Sequence, residues 1–296
     1  MISIETPNSA IYFNEDAYSK LRANLNDTGY SKVFVLVDNN TKVHCLAQFL
    51  ERAKLQEQPH ILEVSSGEEH KNFDSYVNAL QQLSDHQADR RSLLINLGGG
   101  VVTDLGGFVA STFRRGIDFI NVPTSLLAMV DASIGGKTGI DLGPLKNQVG
   151  TISLPKQVLI DTDYLETLPQ DHFNSGLAEM LKHGLIYSDY YWEDMYNYVS
   201  SGEGNLTQLI YDSIKIKHAV VSEDPTEQGL RKTLNYGHTL GHAIESYYLE
   251  NTEKSTLLHG EAIGIGLVLE TYISHKQLGF PKNRLEEIKH LSLIHI

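Results

Sequence analysis

Five short apolar runs, separated by segments of helical spacing, constrain the fold of this chain more than any other feature. Val33–Val37 ends at Asp38, and His60–Val64, Ser92–Leu97, Ile117–Val122 and Val158–Ile160 follow. Runs this short and continuous read as strands covered on both faces. Between them lie a helical stretch over about 41–55 and the residues Phe73, Tyr76, Val77, Leu80 and Leu83 at helical spacing. Strands alternating with helices predict a parallel sheet with helical crossovers. From about Asp171 the pattern changes. Segments 171–187, 205–222, 232–250 and 260–278 read as helices, with no convincing strand among them. The expected organisation is an α/β domain over 1–168 and an all-helical domain over 169–296, with no internal repeat or low-complexity tract.

Composition narrows the class of partner. The 296 residues carry a formal net charge of −13, which argues against nucleic acid, whose phosphates need a basic face. Cys45 is the single cysteine, so an internal disulfide is excluded and a reducing, cytoplasmic compartment fits. The opening MISIETPNSAIYFNEDAY has neither a basic start nor an apolar run, so no signal peptide is expected. The apolar stretch Ala262–Leu269 is too short to span a bilayer.

The third strand runs directly into Gly98-Gly99-Gly100, and Val101–Gly107 continue as a helix. Glycines let backbone N–H groups approach a pyrophosphate, and the helix start attracts anions. A tight strand–helix turn explains a bare glycine triplet equally well, and this is not the GxGxxG fingerprint. Two other loops tilt the balance toward a dinucleotide. Asp38 ends the first strand, where a carboxylate can accept ribose hydroxyls, and Glu68 and Lys71 follow the second. Each alone reads as a solvated loop charge; three loops at the carboxyl ends of neighbouring strands make a crevice.

His238 and His242 are four apart in a predicted helix, so both imidazoles share one face. With 13 histidines in the chain, chance supplies roughly 0.6 such pairs, so the spacing alone decides nothing. His259 opens the next predicted helix, and Glu179 lies on an earlier one. Histidines joined by a carboxylate suit Zn²⁺ with room left for substrate oxygens. A single cysteine rules out a cysteine-rich structural zinc site. Cations recur beside these segments: Arg115, Lys137, Lys146 (next to Asn147), Lys182, Lys217 and Arg231, with Asn235 as a polar companion. Glu179 and Lys182 are three apart. Arg231, Asn235, His238 and His242 follow at four, three and four, predicting one continuous stripe on a helix over 232–250.

Taken together, GGGVVTDLGGFVASTFRRG, VPTSLLAMVDASIGGKTGID, LKNQVG, LAEMLKHG, GLRKTLNYGHTLGHAIE and LHGEAIGIG resemble the 3-dehydroquinate synthase family of sugar phosphate cyclases, over roughly residues 30–280. The resemblance implies a Rossmann-like NAD-binding α/β domain, an all-α metal-binding domain, and an active site in the cleft. It implies Zn²⁺ or Co²⁺ on Glu179, His238 and His259, and moves His242 from metal ligand to substrate contact. NAD⁺ contacts are implied at Asp38, Asn40, Glu68, Lys71, Gly99, Gly100, Asp104, Thr124, Ser125, Lys146 and Thr167. Substrate contacts are implied at Asp131, Lys137, Asn147, Lys182, Lys217, Arg231, Asn235 and His242, and Arg115 resembles an arginine that reaches across a homodimer interface. The implied reaction converts 3-deoxy-D-arabino-heptulosonate 7-phosphate to 3-dehydroquinate and phosphate, in the shikimate route to aromatic amino acids. Sister cyclases making a deoxy-inosose or a valiolone, an NADH-releasing polyol dehydrogenase and a non-catalytic scaffold are the rival readings. Two departures stand out: the polar run Glu250–Ser255 is longer than usual, and the family continues past the uncapped LSLIHI end, so a C-terminal truncation is expected.

Overall fold

The computed structural model describes all residues except 1, 2, 7, 144, 252–256 and 296, with backbone alone at 249, 250 and 293–295. The polar run at 250–255 and the 291–296 tail therefore lie partly outside the described residues. Two compact units divide the chain, Met1–Leu168 and Pro169–Ile296.

The first unit is α/β. Its elements are β1 (Ile4–Thr6), β2 (Ser9–Phe13), α1 (Asn14–Thr28), β3 (Val33–Asp38), α2 (Asn39–His44), α3 (Leu46–Ala53), β4 (His60–Val64), α4 (Phe73–Asp85), β5 (Leu93–Gly98), α5 (Gly100–Thr112), β6 (Asp118–Pro123), β7 (Lys137–Leu142), β8 (Leu145–Ile152) and β9 (Gln157–Ile160). Seven strands form one sheet in the order β1-β2-β9-β6-β5-β3-β4. All pair in parallel except the edge strand β1. The five expected strands form the contiguous run β9-β6-β5-β3-β4, from the middle of the sheet to the edge strand β4. Burial of Phe34–Val37 and Leu93–Gly98 on both faces explains why they read as unbroken apolar runs.

Chain order reverses between β3 and β5, because β4 lies on the far side of β3. Register then brings the carboxyl ends together: Asp38 stands beside Val64, and Gly98 beside Pro123. Such a reversal opens a crevice beyond the strand ends. Helix α5, which follows Gly98, is mostly apolar apart from Asp104 and is buried along most of its length. Gly106 and Gly107 let it lie close to its neighbours, since a Cβ at either would collide with Asn96 or Thr138.

Two features depart from the expectation. The first thirty residues contribute β2 and α1, with Ile11–Phe13 and Leu21 buried. Residues 137–152 form a separate antiparallel hairpin, β7–β8, outside the main sheet.

The second unit is helical, with no strand among the described residues. It comprises α6 (Gln170–Tyr187), α7 (Asp189–Ser201), α8 (Leu206–Glu223), α9 (His238–Glu250), α10 (His259–Leu278) and α11 (Lys282–His295). Trp192 of α7, Ile263 and Leu267 of α10, and Ile288 and Leu291 of α11 make one apolar core. The expected helix over 232–250 is corrected to two pieces. Leu230–Asn235 is a short 3₁₀ turn, and α9 begins only at His238. Gly237 sits between them at φ 81°, a left-handed conformation that interrupts helical repeat. Glu270 of α10 accepts from Gly237 N (2.8 Å) and Leu240 N (3.2 Å), satisfying donors that a helix start leaves open.

Candidate cofactor and metal sites

The strand-end crevice of the first unit carries most of the residues expected to face a dinucleotide. Gly99 is the N-cap of α5 and Gly100 its first residue, so backbone N–H groups at that helix start face outward from the strand end. None of the glycine triplet has positive φ; the loop supplies space and donors rather than a special dihedral. Thr124 N donates to Gly98 O (3.0 Å), and Ser125 Oγ accepts from Ala128 N (3.3 Å), which fixes the loop after β6. Asn40 is exposed in α2 and Thr167 exposed near the end of the unit.

Asp38 is not a solvated loop charge. It is buried, and its Oδ1 accepts from Thr41 N (2.7 Å) and Thr41 Oγ1 (3.0 Å), forming the capping box of α2. Cys45 ends the same helix. Burial, against opposing hydrogen bonds from Thr124 and Thr167, pushes its thiol up to about 11.

Lys71 is likewise buried, at 3% exposure, and is the hub of a charged network. Its Nζ donates to Asp104 Oδ2 (2.7 Å) and Asn147 Oδ1 (2.6 Å), and stands 3.9 Å from Glu68 Oε1. Burial alone would depress this ammonium, but Asp104 and Glu68 outweigh it and hold Lys71 charged, above its ordinary range. Lys146 Nζ is 3.5 Å from the same Glu68 oxygen. Residues expected to serve NAD⁺ (Glu68, Lys71, Asp104, Lys146) and substrate (Asn147) are thus one cluster. Lys137 is exposed at the start of β7, Asp131 lies half-buried in a π-helical turn at 128–132, and Arg115 is exposed on the loop after α5 at φ 73°.

In the second unit Glu179 and Lys182 occupy successive turns of α6, both buried and in ion-pair contact. Glu179 Oε1 is 3.4 Å from His238 Nε2 and 3.7 Å from His259 Nε2. The rings of His238, His242 and His259 have centroids 5.2–5.6 Å apart. One nitrogen from each lies within 4.8 Å of the others. Burial would raise the Glu179 carboxyl, but Lys182, His238 and His259 together hold it well below the usual carboxylate range. Neither Glu179 oxygen accepts an aligned hydrogen bond among the described residues. A fully buried carboxylate in that state, ringed by imidazoles, fits a divalent cation of nitrogen and oxygen preference.

The remaining expected residues sit on two segments, α8 and the 3₁₀ turn Leu230–Asn235. Lys217 is buried in α8. Arg231 is buried in the 3₁₀ turn, donating to Pro225 O (2.9 Å), and Asn235 is exposed, donating to Glu227 Oε1 (2.8 Å). The stripe expected from Arg231 to His242 is corrected: Gly237 breaks the helix, so only His238 and His242 share a helical face.

Three contributors escaped the sequence reading. Glu245, buried on α9, faces His259 Nδ1 at 3.4 Å. Burial alone would lower His259, but Glu179 and Glu245 push it up to about 9. A carboxylate on the far nitrogen is how an imidazole ligand is oriented. Its spacing from His238 and His242, seven and three, was a usable signal. Asp224 organises the turn before Arg231, accepting from Gly229 N (2.6 Å) and Arg231 N (3.1 Å). Asp141 accepts from Asn147 N (2.7 Å).

Comparison with known proteins agrees with this chemistry. Residues 61–175 match the family model for the 3-dehydroquinate synthase N-terminal region, and residues 176–294 its C-terminal region. The 3-dehydroquinate synthase of Parabacteroides distasonis is 45% identical over 276 residues, covering 93% of this chain and 77% of the relative. That of Clostridium botulinum is 43% identical over 262 residues, covering 87% and 73%. Among solved structures, a 2-deoxy-scyllo-inosose synthase complexed with carbaglucose-6-phosphate, NAD⁺ and Co²⁺ superposes with TM-score 0.85 at 26% identity, over 96% of this chain and 79% of that one. An NADH-dependent butanol dehydrogenase from Thermotoga maritima shares the fold alone, with TM-score 0.70 at 14% identity over 100% of this chain and 83% of that one. On the family match and these relatives, the chain belongs to the 3-dehydroquinate synthase family.

Proposed function

We propose that this chain is a 3-dehydroquinate synthase, converting 3-deoxy-D-arabino-heptulosonate 7-phosphate to 3-dehydroquinate and phosphate with catalytic NAD⁺ and one divalent metal, Zn²⁺ or Co²⁺. One observation carries the reading: the buried Glu179 carboxylate, with no aligned hydrogen bond, facing His238 and His259 Nε2. When bound, the metal supplies Lewis acidity and NAD⁺ a reversible hydride acceptor.

The chain's own groups divide the remaining work. Glu179, His238 and His259 hold the metal, with Glu245 orienting His259. His242 is the exposed imidazole of the cluster, which supports its role as a substrate and proton contact. Asp38 takes a ribose through Oδ2 while Oδ1 caps α2, and Gly99 and Gly100 present the α5 N-terminus to the pyrophosphate. Asn40, Thr124, Ser125 and Thr167 complete that side, and Glu68, Lys71, Asp104 and Lys146 complete the other. Lys182, Lys217 and Arg231 are cations buried in an acidic protein, a costly arrangement that suits an anionic ligand. The groups proposed to serve the substrate's phosphate, carboxylate and hydroxyls are Asp131, Lys137 and Asn147 in the first unit and Lys182, Lys217, Arg231 and Asn235 in the second. Arg115, exposed on a left-handed loop, serves the partner of a homodimer. The reading extends to a cytoplasmic enzyme of the shikimate pathway; none of the described helices is long and apolar enough to cross a membrane.

Purified protein is mixed with NAD⁺, Zn²⁺ and the heptulosonate phosphate. Stoichiometric phosphate and carbocyclic product with no net NADH are expected. Net NADH without phosphate release overturns the reading in favour of a polyol dehydrogenase. Turnover only of a hexose phosphate that lacks the carboxylate assigns the chain to a deoxy-inosose-type cyclase instead.

A further inference from the structure

The β7–β8 ladder is regular up to the pair Ile140↔Val149 and resumes at Leu142↔Leu145. Asp141 alone therefore stands opposite residues 146–148, and its backbone leaves the ladder. Its N–H donates to Lys71 O (2.8 Å), and its Oδ1 turns back to accept from Asn147 N (2.7 Å). Asn147 is at φ 53°, a left-handed conformation that asparagine visits more readily than other non-glycine residues. Its own side chain returns to Lys71, accepting from Nζ at 2.6 Å. The bonds close a cycle: Asp141 backbone to Lys71 backbone, Lys71 side chain to Asn147 side chain, Asn147 backbone to Asp141 side chain. Asp141 is 8% exposed and Asn147 is exposed, so loss of the acceptor would hand the Asn147 N–H to water and release the turn.

We infer that Asp141 is a positioning residue: it sets the left-handed turn at Asn147 and thereby aims the Asn147 carboxamide and the Lys71 ammonium at their ligands. This rests on the reading above that Asn147 meets substrate and Lys71 the cofactor side of the site. Asp141 itself need touch neither. Its acceptor oxygen matters, not its charge, because the Asn147 N–H needs only an oxygen at that place. An asparagine keeps that oxygen and an alanine does not.

The experiment compares the parent chain with Asp141→Ala, Asp141→Asn and Asn147→Ala, all loaded with NAD⁺ and Zn²⁺. Steady-state kinetics with the heptulosonate phosphate are measured alongside hydrogen exchange of the peptide containing Asn147. Asp141→Ala is expected to lower kcat/KM at least about tenfold and to speed exchange at Asn147. Asp141→Asn should restore both to within about threefold of the parent. In the Asn147→Ala background the Asp141→Ala change should have almost no further effect on kcat/KM, because the residue acts through Asn147. A purely structural role would lower both backgrounds alike. Unchanged kcat/KM and exchange in Asp141→Ala overturn the inference, as do an Asp141→Asn variant as impaired as alanine and additive losses in the double variant. If Asp141→Ala does not accumulate folded, Asp141→Leu, which fills the space without an acceptor, takes its place under the same criteria. If the parent releases no phosphate, the functional reading fails, and exchange at Asn147 still decides whether Asp141 sets that turn.

Discussion

The polar cluster of the N-terminal unit is tied to itself, whereas that of the C-terminal unit converges without closing. Around Lys71 each charge has a partner: Asp104 and Asn147 at hydrogen-bond distance, Glu68 shared with Lys146, and Asp141 holding Asn147 in place. Around Glu179 Lys182 makes an ion pair and the imidazoles crowd together, yet among the described residues no aligned hydrogen bond reaches the carboxylate. Burying a carboxylate costs several kcal/mol unless charge and hydrogen bonds compensate it. One cluster is a finished surface that a ligand meets ready-made. On the proposed reading, the other is a coordination shell whose geometry a cation would complete. The difference teaches where each kind of substitution should register: in folding stability for the first, in bound metal for the second.

The largest expected effect tests the open cluster. His238→Ala removes an imidazole that faces Glu179 at 3.4 Å, and elemental analysis of protein equilibrated with Zn²⁺ should fall from about one ion per chain to less than about a tenth. Glu245→Ala, which frees only the far nitrogen of His259, should weaken zinc binding about 10–100-fold. Lys137→Ala, in the other unit, should lose turnover while keeping its metal. Full zinc content in His238→Ala would break the comparison.

Next comes the closed cluster. Lys71→Met keeps the stem and removes the ammonium that Asp104 faces at 2.7 Å. Breaking such a pair on one side typically costs about 3–5 kcal/mol. Urea titration should therefore show a large loss of stability, with zinc content unchanged. A variant as stable as the parent would mean that the network is a loose surface arrangement after all.

A smaller effect concerns the one thiol in the chain. Cys45 could compete for zinc only as a thiolate, and burial raises its thiol from 9.0 to about 11. A raised thiol pKa means less thiolate at every pH below it. Near pH 8 the native protein should react with a disulfide reagent about 100-fold more slowly than the unfolded chain. The native rate should keep rising with pH toward 11, where that of the unfolded chain levels near 9. Equal native and unfolded rates would mean that burial does not suppress the Cys45 thiolate.

Legibility in sequence followed the kind of burial each segment has. Central strands such as Val33–Asp38 and Leu93–Gly98 were visible because both faces are covered and the apolar run is unbroken. The hairpin Lys137–Ile152 was not, because its ladder runs through glycines and polar residues and packs outside the main sheet. Helix Asp189–Ser201 escaped although Tyr191, Trp192 and Met195 are its buried residues, at helical spacing. Glu179, His238, His242 and His259 were each legible as candidates, but their convergence is a property of packing. Spacing misled once. The interval from Arg231 to His242 fits a helical face arithmetically, yet Gly237 at φ 81° ends that continuity, and the glycine itself was the warning. Lys71 and Asp38 read as solvated because sequence shows a loop charge without showing the partner, Asn147 or Thr41, that lets it be buried.

Asp38 carries the smallest effect and the sharpest use of the comparison, because it belongs to the closed cluster type yet is proposed to bind. As the N-cap of α2 its Oδ1 takes both Thr41 bonds. Asp38→Ala should therefore cost about 1 kcal/mol of stability in urea titration, the ordinary worth of a cap. Asp38→Asn keeps a carbonyl oxygen for the cap but exchanges the second oxygen for an amide, which donates where a ribose hydroxyl needs an acceptor. Its stability should match the parent's while its NAD⁺ affinity falls. An Asp38→Asn protein with normal NAD⁺ binding would leave Asp38 as a helix cap and nothing more, and the dinucleotide contact at the end of β3 would have to come from Asn40 or the backbone.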